Sequence, residues 1–156
     1  MKKLIIVLLV LFTTNIVAQN NTRKVPEVVL NKFTKKYPNA ELKKWKREKD
    51  FYLAKFIISN RKYFAFYSSD GTWQRTETNI KWKNLPVEVM NGVRKSEYNS
   101  WKISEIKQVE MSDQMVYLLL VDNGNLLDAD RYPVFKEDFI LYFTSEGNIL
   151  KKVKKC

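Results

Sequence analysis

Residues 25–45 read VPEVVLNKFTKKYPNAELKKW, and residues 85–106 read LPVEVMNGVRKSEYNSWKISEI. The two stretches share one layout. A proline opens a helical pattern, a tyrosine sits near its end, and a polar turn leads to a tryptophan-bearing strand. Two apolar strand-like runs follow each stretch. The second run ends in an acidic-glycine turn, FAFYSSDGTW at 64–73 and FILYFTSEGNIL at 139–150. Repetition on this scale means one supersecondary unit used twice.

In the first copy, Val28, Val29, Leu30, Phe33 and Tyr37 fall at helical spacing across Val25 to Tyr37. Pro26 suits the first turn, where its missing N–H costs nothing, and Pro38 stops the helix. Pro86 opens the second helix, whose apolar stripe is Val89, Met90, Val93 and Tyr98. Four strands are expected after each helix: 40–48, 51–58, 63–67 and 72–78, then 101–110, 115–121, 139–143 and 148–153. Ser69-Asp70-Gly71 and Ser145-Glu146-Gly147 supply hairpin turns, where glycine accepts φ > 0. Such short connections require antiparallel pairing, because a parallel crossover takes a dozen residues or more. The expected fold class is α+β. One helix and a four-stranded antiparallel sheet occur twice, with both helices on one sheet face. The units span 19–83 and 84–156, side by side in one long sheet. Tyr52, Ala54, Phe56 and Ile58 are expected under the first helix, leaving Phe51, Leu53 and Lys55 on the open side.

Lys2 and Lys3 precede the apolar run Leu4–Phe12, and Ala18 is a small residue before Gln19. This layout predicts an export signal over residues 1–18. The apolar run is too short for a hydrocarbon core that needs about 20 residues. A periplasmic or secreted protein is expected. Without Lys2 and Lys3, the 28 basic residues become 26 against 17 acidic, a net charge of +9. An exported basic chain can meet acidic proteins, anionic polymers or anionic lipid, but nucleic acid is not an expected partner. The lysine-rich tail 151–155 suits a charged edge strand. Cys156 is the only cysteine, so no internal disulfide staples the fold.

No histidine occurs anywhere, which removes Ser/His/Asp and Cys/His catalysis and His-based zinc sites. The four glycines form no phosphate loop or dinucleotide fingerprint. Glu105, Glu110, Asp113, Glu137 and Asp138 show no spacing suited to acid–base work. The expectation is a monomer with no enzyme activity and no cofactor. The second copy carries an insertion, DNGNLLDADRYPVFKE at 122–137, where the first has only Ser59-Asn60-Arg61-Lys62. Its oxygen-bearing residues Asp122, Asn123, Asn125, Asp128 and Asp130 suggest calcium, but the spacing of an EF-hand and its closing Glu are missing.

The expected partner-binding residues are Phe51, Tyr63, Tyr67 and Trp73 with Lys43, Arg47 and Lys55, on the sheet face away from the helices. Aromatic rings and arginine on a rigid sheet bury large area at low entropy cost. The alternative reading is an envelope protein that binds anionic polymer or lipid through its basic surface.

Tyr37-Pro38-Asn39-Ala40, the Tyr52-x-Ala54-x-Phe56 strand, Ser69-Asp70-Gly71 with Trp73, and Leu85-Pro86 together resemble the secreted bacterial PepSY-like proteins. That family is also described as β-lactamase-inhibitor-like. The resemblance runs from about Val25 to Val153; Glu146 replaces the turn aspartate and Asn99 stands where a proline would match Pro38. It implies a tandem helix-plus-four-strand fold outside the cytoplasm and no catalytic residue. It also implies a mode of action, a sheet laid over an enzyme or a propeptide-like domain held against a protease. Inhibition does not follow from fold alone.

Overall fold

The computed structural model describes residues 25–123 and 137–155. The expected export signal (1–18), Cys156 and the insertion residues 124–136 lie outside the described residues. Element order is α1 (Glu27–Lys36), β1 (Glu41–Glu48), β2 (Phe51–Ile58), β3 (Arg61–Ser68) and β4 (Trp73–Asn79). It continues with a 3-10 turn (Trp82–Asn84), α2 (Val87–Lys95), β5 (Lys102–Glu110), β6 (Met115–Asp122), β7 (Asp138–Thr144) and β8 (Ile149–Lys154).

The helices form where the prolines place them. The Pro26 carbonyl accepts from Val29 N–H at 3.0 Å, and the Pro86 carbonyl accepts from Met90 N–H at 3.0 Å. The Tyr37 N–H closes α1 on the Phe33 carbonyl at 2.9 Å, just before Pro38 ends the run. The Ser96 hydroxyl donates to the Val93 carbonyl at 2.7 Å and closes α2.

All eight strands form one sheet in sequence order, every neighbour antiparallel. It is one continuous eight-stranded sheet, not two four-stranded ones. The seam is β4 against β5, joined only over Thr76–Asn79 and Lys107–Glu110.

Registry shows which side each residue takes, because residues opposite one another in a ladder share a face. Tyr63 lies opposite Thr78, Thr78 opposite Gln108, and Gln108 opposite Tyr117. Tyr63 packs against the α1 core and Tyr117 belongs to the α2 core. Both helices therefore cover the same face. Val29 and Phe33 of α1 pack onto Tyr52, Ala54, Phe56, Ala65 and Tyr67 of the sheet. Phe33 meets Phe56 edge-on at 5.2 Å and Trp45 at 5.3 Å between ring centroids. Such tilted pairs add about 1 kcal/mol beyond their burial. Under α2 the core is Val89, Val93, Tyr98, Leu119, Val121, Leu141 and Phe143, with neighbours Ile106 and Tyr117.

The two acidic-glycine turns tie sheet to helix. Gly71 (φ +85°) and Gly147 (φ +84°) occupy the left-handed region. Each also lies against a helix: a Cβ on Gly71 would sit 2.9 Å from Val28 Cγ2, and one on Gly147 only 2.1 Å from the Glu88 carbonyl oxygen. Gly92 in α2 faces the second turn, where a Cβ would sit 2.0 Å from the Gly147 carbonyl oxygen.

Buried tyrosines give the fold an alkaline limit. Burial pushes Tyr37 up to about 12, and burial also raises Tyr67 and Tyr117. A raised folded-state value means the native state holds its proton more tightly than the unfolded chain. The stabilisation is complete below the unfolded value of about 10 and declines as pH climbs toward 12. Denaturant midpoints measured from pH 8 upward should be level at first and fall steadily above about pH 10.

A candidate interaction face on the helix-free side of the sheet

The same registry defines the opposite face, which no helix of the described residues covers. One row runs Lys46, Leu53, Phe66, Arg75, and the next runs Lys44, Lys55, Phe64, Glu77, Val109, Val116. In the second half, Lys107, Leu118, Tyr142 and Lys151 form one row, with Glu105, Leu120, Ile140 and Val153 in another. Phe64, Phe66, Leu118, Leu120, Ile140 and Tyr142 are each partly exposed. They alternate with residues facing the helices, as the pleat requires.

Cations stand over these rings. The Arg75 guanidinium lies 3.7 Å from the Phe66 ring centroid, and Lys55 and Lys151 stand 5.7 and 5.9 Å from Phe64 and Tyr142. Arg75 Nε also donates to Glu77 Oε1 at 2.7 Å. Lys107 Nζ reaches Glu77 at 3.5 Å and Glu105 at 3.7 Å. The chain of charges crosses the seam between β4 and β5. Isolated surface pairs contribute little, but a network on a stacked arginine holds its side chains in place. A shallow cleft of about 120 Å3 opens beside it, walled by Lys107, Leu118, Leu120, Ile140 and Lys155, with Glu105 at its rim. Leu53, Val109 and Val116 are buried on this face although no helix lies over them. The long side chains of adjoining rows cover them.

Of the seven residues expected to bind a partner, the structure brings Phe51 and Lys55 to this face. Tyr63 and Tyr67 lie on the other side, opposite Phe56 and Tyr52 in the ladder, and Tyr67 is fully buried. Trp73 also packs on the helix side. Its indole N–H donates to Thr76 Oγ1 at 2.9 Å, and Lys36 Nζ stands 3.7 Å over its ring. Arg47 is opposite Tyr52 and stands over that ring at 5.7 Å, again on the helix side. Lys43 falls in the β1 bulge and pairs with Glu41. Leu53, expected to be open, is buried.

A two-residue turn explains the correction. Ser59 (φ 47°) and Asn60 (φ 62°) form a tight hairpin turn with Ile58 opposite Arg61. Even positions of β2 then share a face with odd positions of β3. A four-residue connection over 59–62 has the same parity. Once Tyr52, Ala54 and Phe56 go under the helix, Tyr63 and Tyr67 must follow and Phe64 and Phe66 must not. That parity was the signal for the residues that were missed. Truncating Trp73 to alanine should therefore lower stability by about 2 kcal/mol, through lost packing and its indole hydrogen bond, and leave the helix-free face intact. Thermal melts would check the first part.

Sequence comparison matches residues 17–67 and 59–151 to the β-lactamase-inhibitor-like, PepSY-like family. The chain belongs to that family. No curated protein matches this PepSY-like chain. Solved structures share its fold. A DUF2874 family protein from Bacteroides ovatus superimposes with a TM-score of 0.73 at 22% identity, covering 84% of this chain and 88% of that one. A BLIP-like protein from Bacteroides fragilis gives 0.71 at 22%, covering 84% and 86%. A protein from Bacteroides eggerthii, described as a candidate periplasmic protein, gives 0.70 at 20%, covering 84% and 89%. At these identities the likeness is one of fold. Among the described residues of the PepSY-like chain, no helix is long and apolar enough to cross a membrane.

Proposed function

We propose that this PepSY-like protein is an exported, non-catalytic, inhibitor-like binding module that presents the helix-free sheet face to a protein or peptide partner. Residues 1–18 act as its export signal, and 19–83 and 84–156 as its two structural units. It works in the periplasm or outside the cell, in line with the description of its Bacteroides eggerthii structural neighbour. The observation that carries the reading is the set of partly exposed rings and aliphatic side chains, Phe64, Phe66, Leu118, Leu120, Ile140 and Tyr142, over which no element of the described residues lies. Arg75 clamped on Phe66 is the expected anchor, since stacked arginine and aromatic residues dominate interface energies. Lys44, Lys46, Lys55, Lys62 and Lys151 around these rings favour an acidic patch on the partner.

The experiment is capture from the native envelope fraction by the chain without residues 1–18, washed at about 0.1 M and about 1 M salt. A protein held by apolar and stacked contacts stays bound at the higher salt. Retention of polymer or lipid alone, lost at the higher salt, replaces this reading with binding through the basic surface.

A further inference from the structure

Strands β4 and β5 share only four paired positions, ending at Asn79 opposite Lys107. One more bond, from the Ile80 N–H to the Ile106 carbonyl at 3.0 Å, closes the seam. The chain then leaves the sheet through the 3-10 turn at Trp82–Asn84. β5 starts at Lys102, so Lys102–Glu105 are paired with β6 alone. That leaves an internal strand edge about 13 Å long at a rise of ~3.3 Å per residue. The register slips between Ile103 and Glu105, so Ser104 has no residue opposite it in the ladder, and its hydroxyl donates to the Leu120 carbonyl at 3.3 Å. Bulges of this kind recur where a sheet stops pairing.

The edge is not sealed. A cleft of about 540 Å3 opens along it, with Ile80 and Trp82 on one side and Trp101, Ile103 and Ser104 on the other. This lies within the range of ligand-sized pockets. Exposed Lys81 lines it, and exposed Lys83 and Lys102 directly neighbour its wall residues Trp82, Trp101 and Ile103 in sequence. The one carboxylate on the wall, Glu105, is already held by Asn79 Nδ2 at 3.2 Å and Lys107 Nζ at 3.7 Å. Among the described residues, the cleft thus combines a strand edge that β4 leaves unpaired, indole walls and exposed lysines.

We infer that this gap is a strand-addition site for an acidic, extended peptide segment of a partner protein. The segment would pair its backbone with the Lys102–Glu105 edge. An apolar side chain would enter between Trp82 and Trp101, and flanking carboxylates would meet Lys81, Lys83 and Lys102. Main-chain bonds supply affinity and the alternate side-chain pockets supply specificity. The outer edges are poorer templates, because β1 carries dense lysine and glutamate and β8 carries three lysines. The site is separate from the Phe66 and Tyr142 rows and goes beyond the function proposed above.

The probe is a pool of synthetic peptides about seven residues long, a typical strand length, in which Glu or Asp alternates with Val, Ile or Phe. Binding is followed by tryptophan fluorescence and by backbone amide exchange on the isotope-labelled chain. The expected result is a peptide that slows exchange at Lys102–Glu105 and shifts the Trp82 and Trp101 signals. Its backbone N-methylated twin has the same charge but lacks ladder donors, and should bind at least about tenfold more weakly. Because the control alters the peptide, the protein's folding is not in question. The inference is overturned if no peptide in the pool binds, if the N-methylated twin binds equally, or if the shifts map to Phe66 and Tyr142. Sedimentation showing that the free chain self-associates through this edge would overturn it as well.

Discussion

Gly92→Ala is expected to destabilise the protein by about 2–4 kcal/mol, although the same change in an ordinary helix interior stabilises by about 1 kcal/mol. Gly92 lies within α2, where alanine is the better helix former. The new Cβ would sit 2.0 Å from the Gly147 carbonyl oxygen, and a backbone atom cannot swing aside as a side-chain end can. The β7–β8 turn would have to lift off the helix and open the α2 core. Gly147→Ala should cost as much or more, since it adds a positive-φ penalty to a 2.1 Å approach to the Glu88 carbonyl oxygen. Gly71→Ala is the internal comparison. It has the same φ, but its nearest neighbour is the Val28 Cγ2 methyl at 2.9 Å, which can shift. Its cost should stay near 1–2 kcal/mol, chiefly the left-handed penalty, since the nearest backbone atom, the Val28 carbonyl oxygen, is 3.2 Å away and needs to give only slightly. Urea titrations of the three variants would separate these contributions. A stable Gly92→Ala protein would show that turn and helix are not in contact as described.

Removing the Phe66 ring together with its cation should abolish most binding. The Phe66→Ala/Arg75→Ala double variant is expected to lose at least about 30-fold in affinity for the captured partner, the scale of one interface hot spot. Stability should change far less, because both side chains are partly exposed. The two residues touch, so their single effects should not add. Raising salt should weaken the wild-type complex only several-fold, since screening acts on the lysines around the patch and not on the stacked rings.

The sequence carried the element pattern well. The prolines at 26, 38 and 86 and the two acidic-glycine turns are local signals, and the elements form within a residue or two of where they put them, except that α2 ends at Lys95, three residues before Tyr98, which was expected on its stripe. Repetition pointed to one long sheet. The face assignments were harder. β3 reads Tyr-Phe-Ala-Phe-Tyr, aromatic on both sides of the pleat, so hydrophobicity cannot orient it. Only pairing parity across Ser59–Asn60 can, because a one-position slip inverts every side chain. Trp73 was less accessible still. The bulge between Phe66 and Tyr67 shifts its partner and turns it toward the helix. Bulges are set by how strands twist in the assembled sheet, and no residue near Trp73 announces one. The gap beside β5 depends on how far β4 and β5 overlap, which is a property of the assembled sheet.

The most direct measurement compares three proteins in one envelope capture at about 1 M salt: the wild-type chain, Trp73→Ala, and Phe66→Ala/Arg75→Ala. The expected result is one partner protein held by the first two and lost by the third. Undiminished capture by the double variant, loss with Trp73→Ala alone in a folded protein, or no protein held by the wild type would contradict binding through the helix-free face.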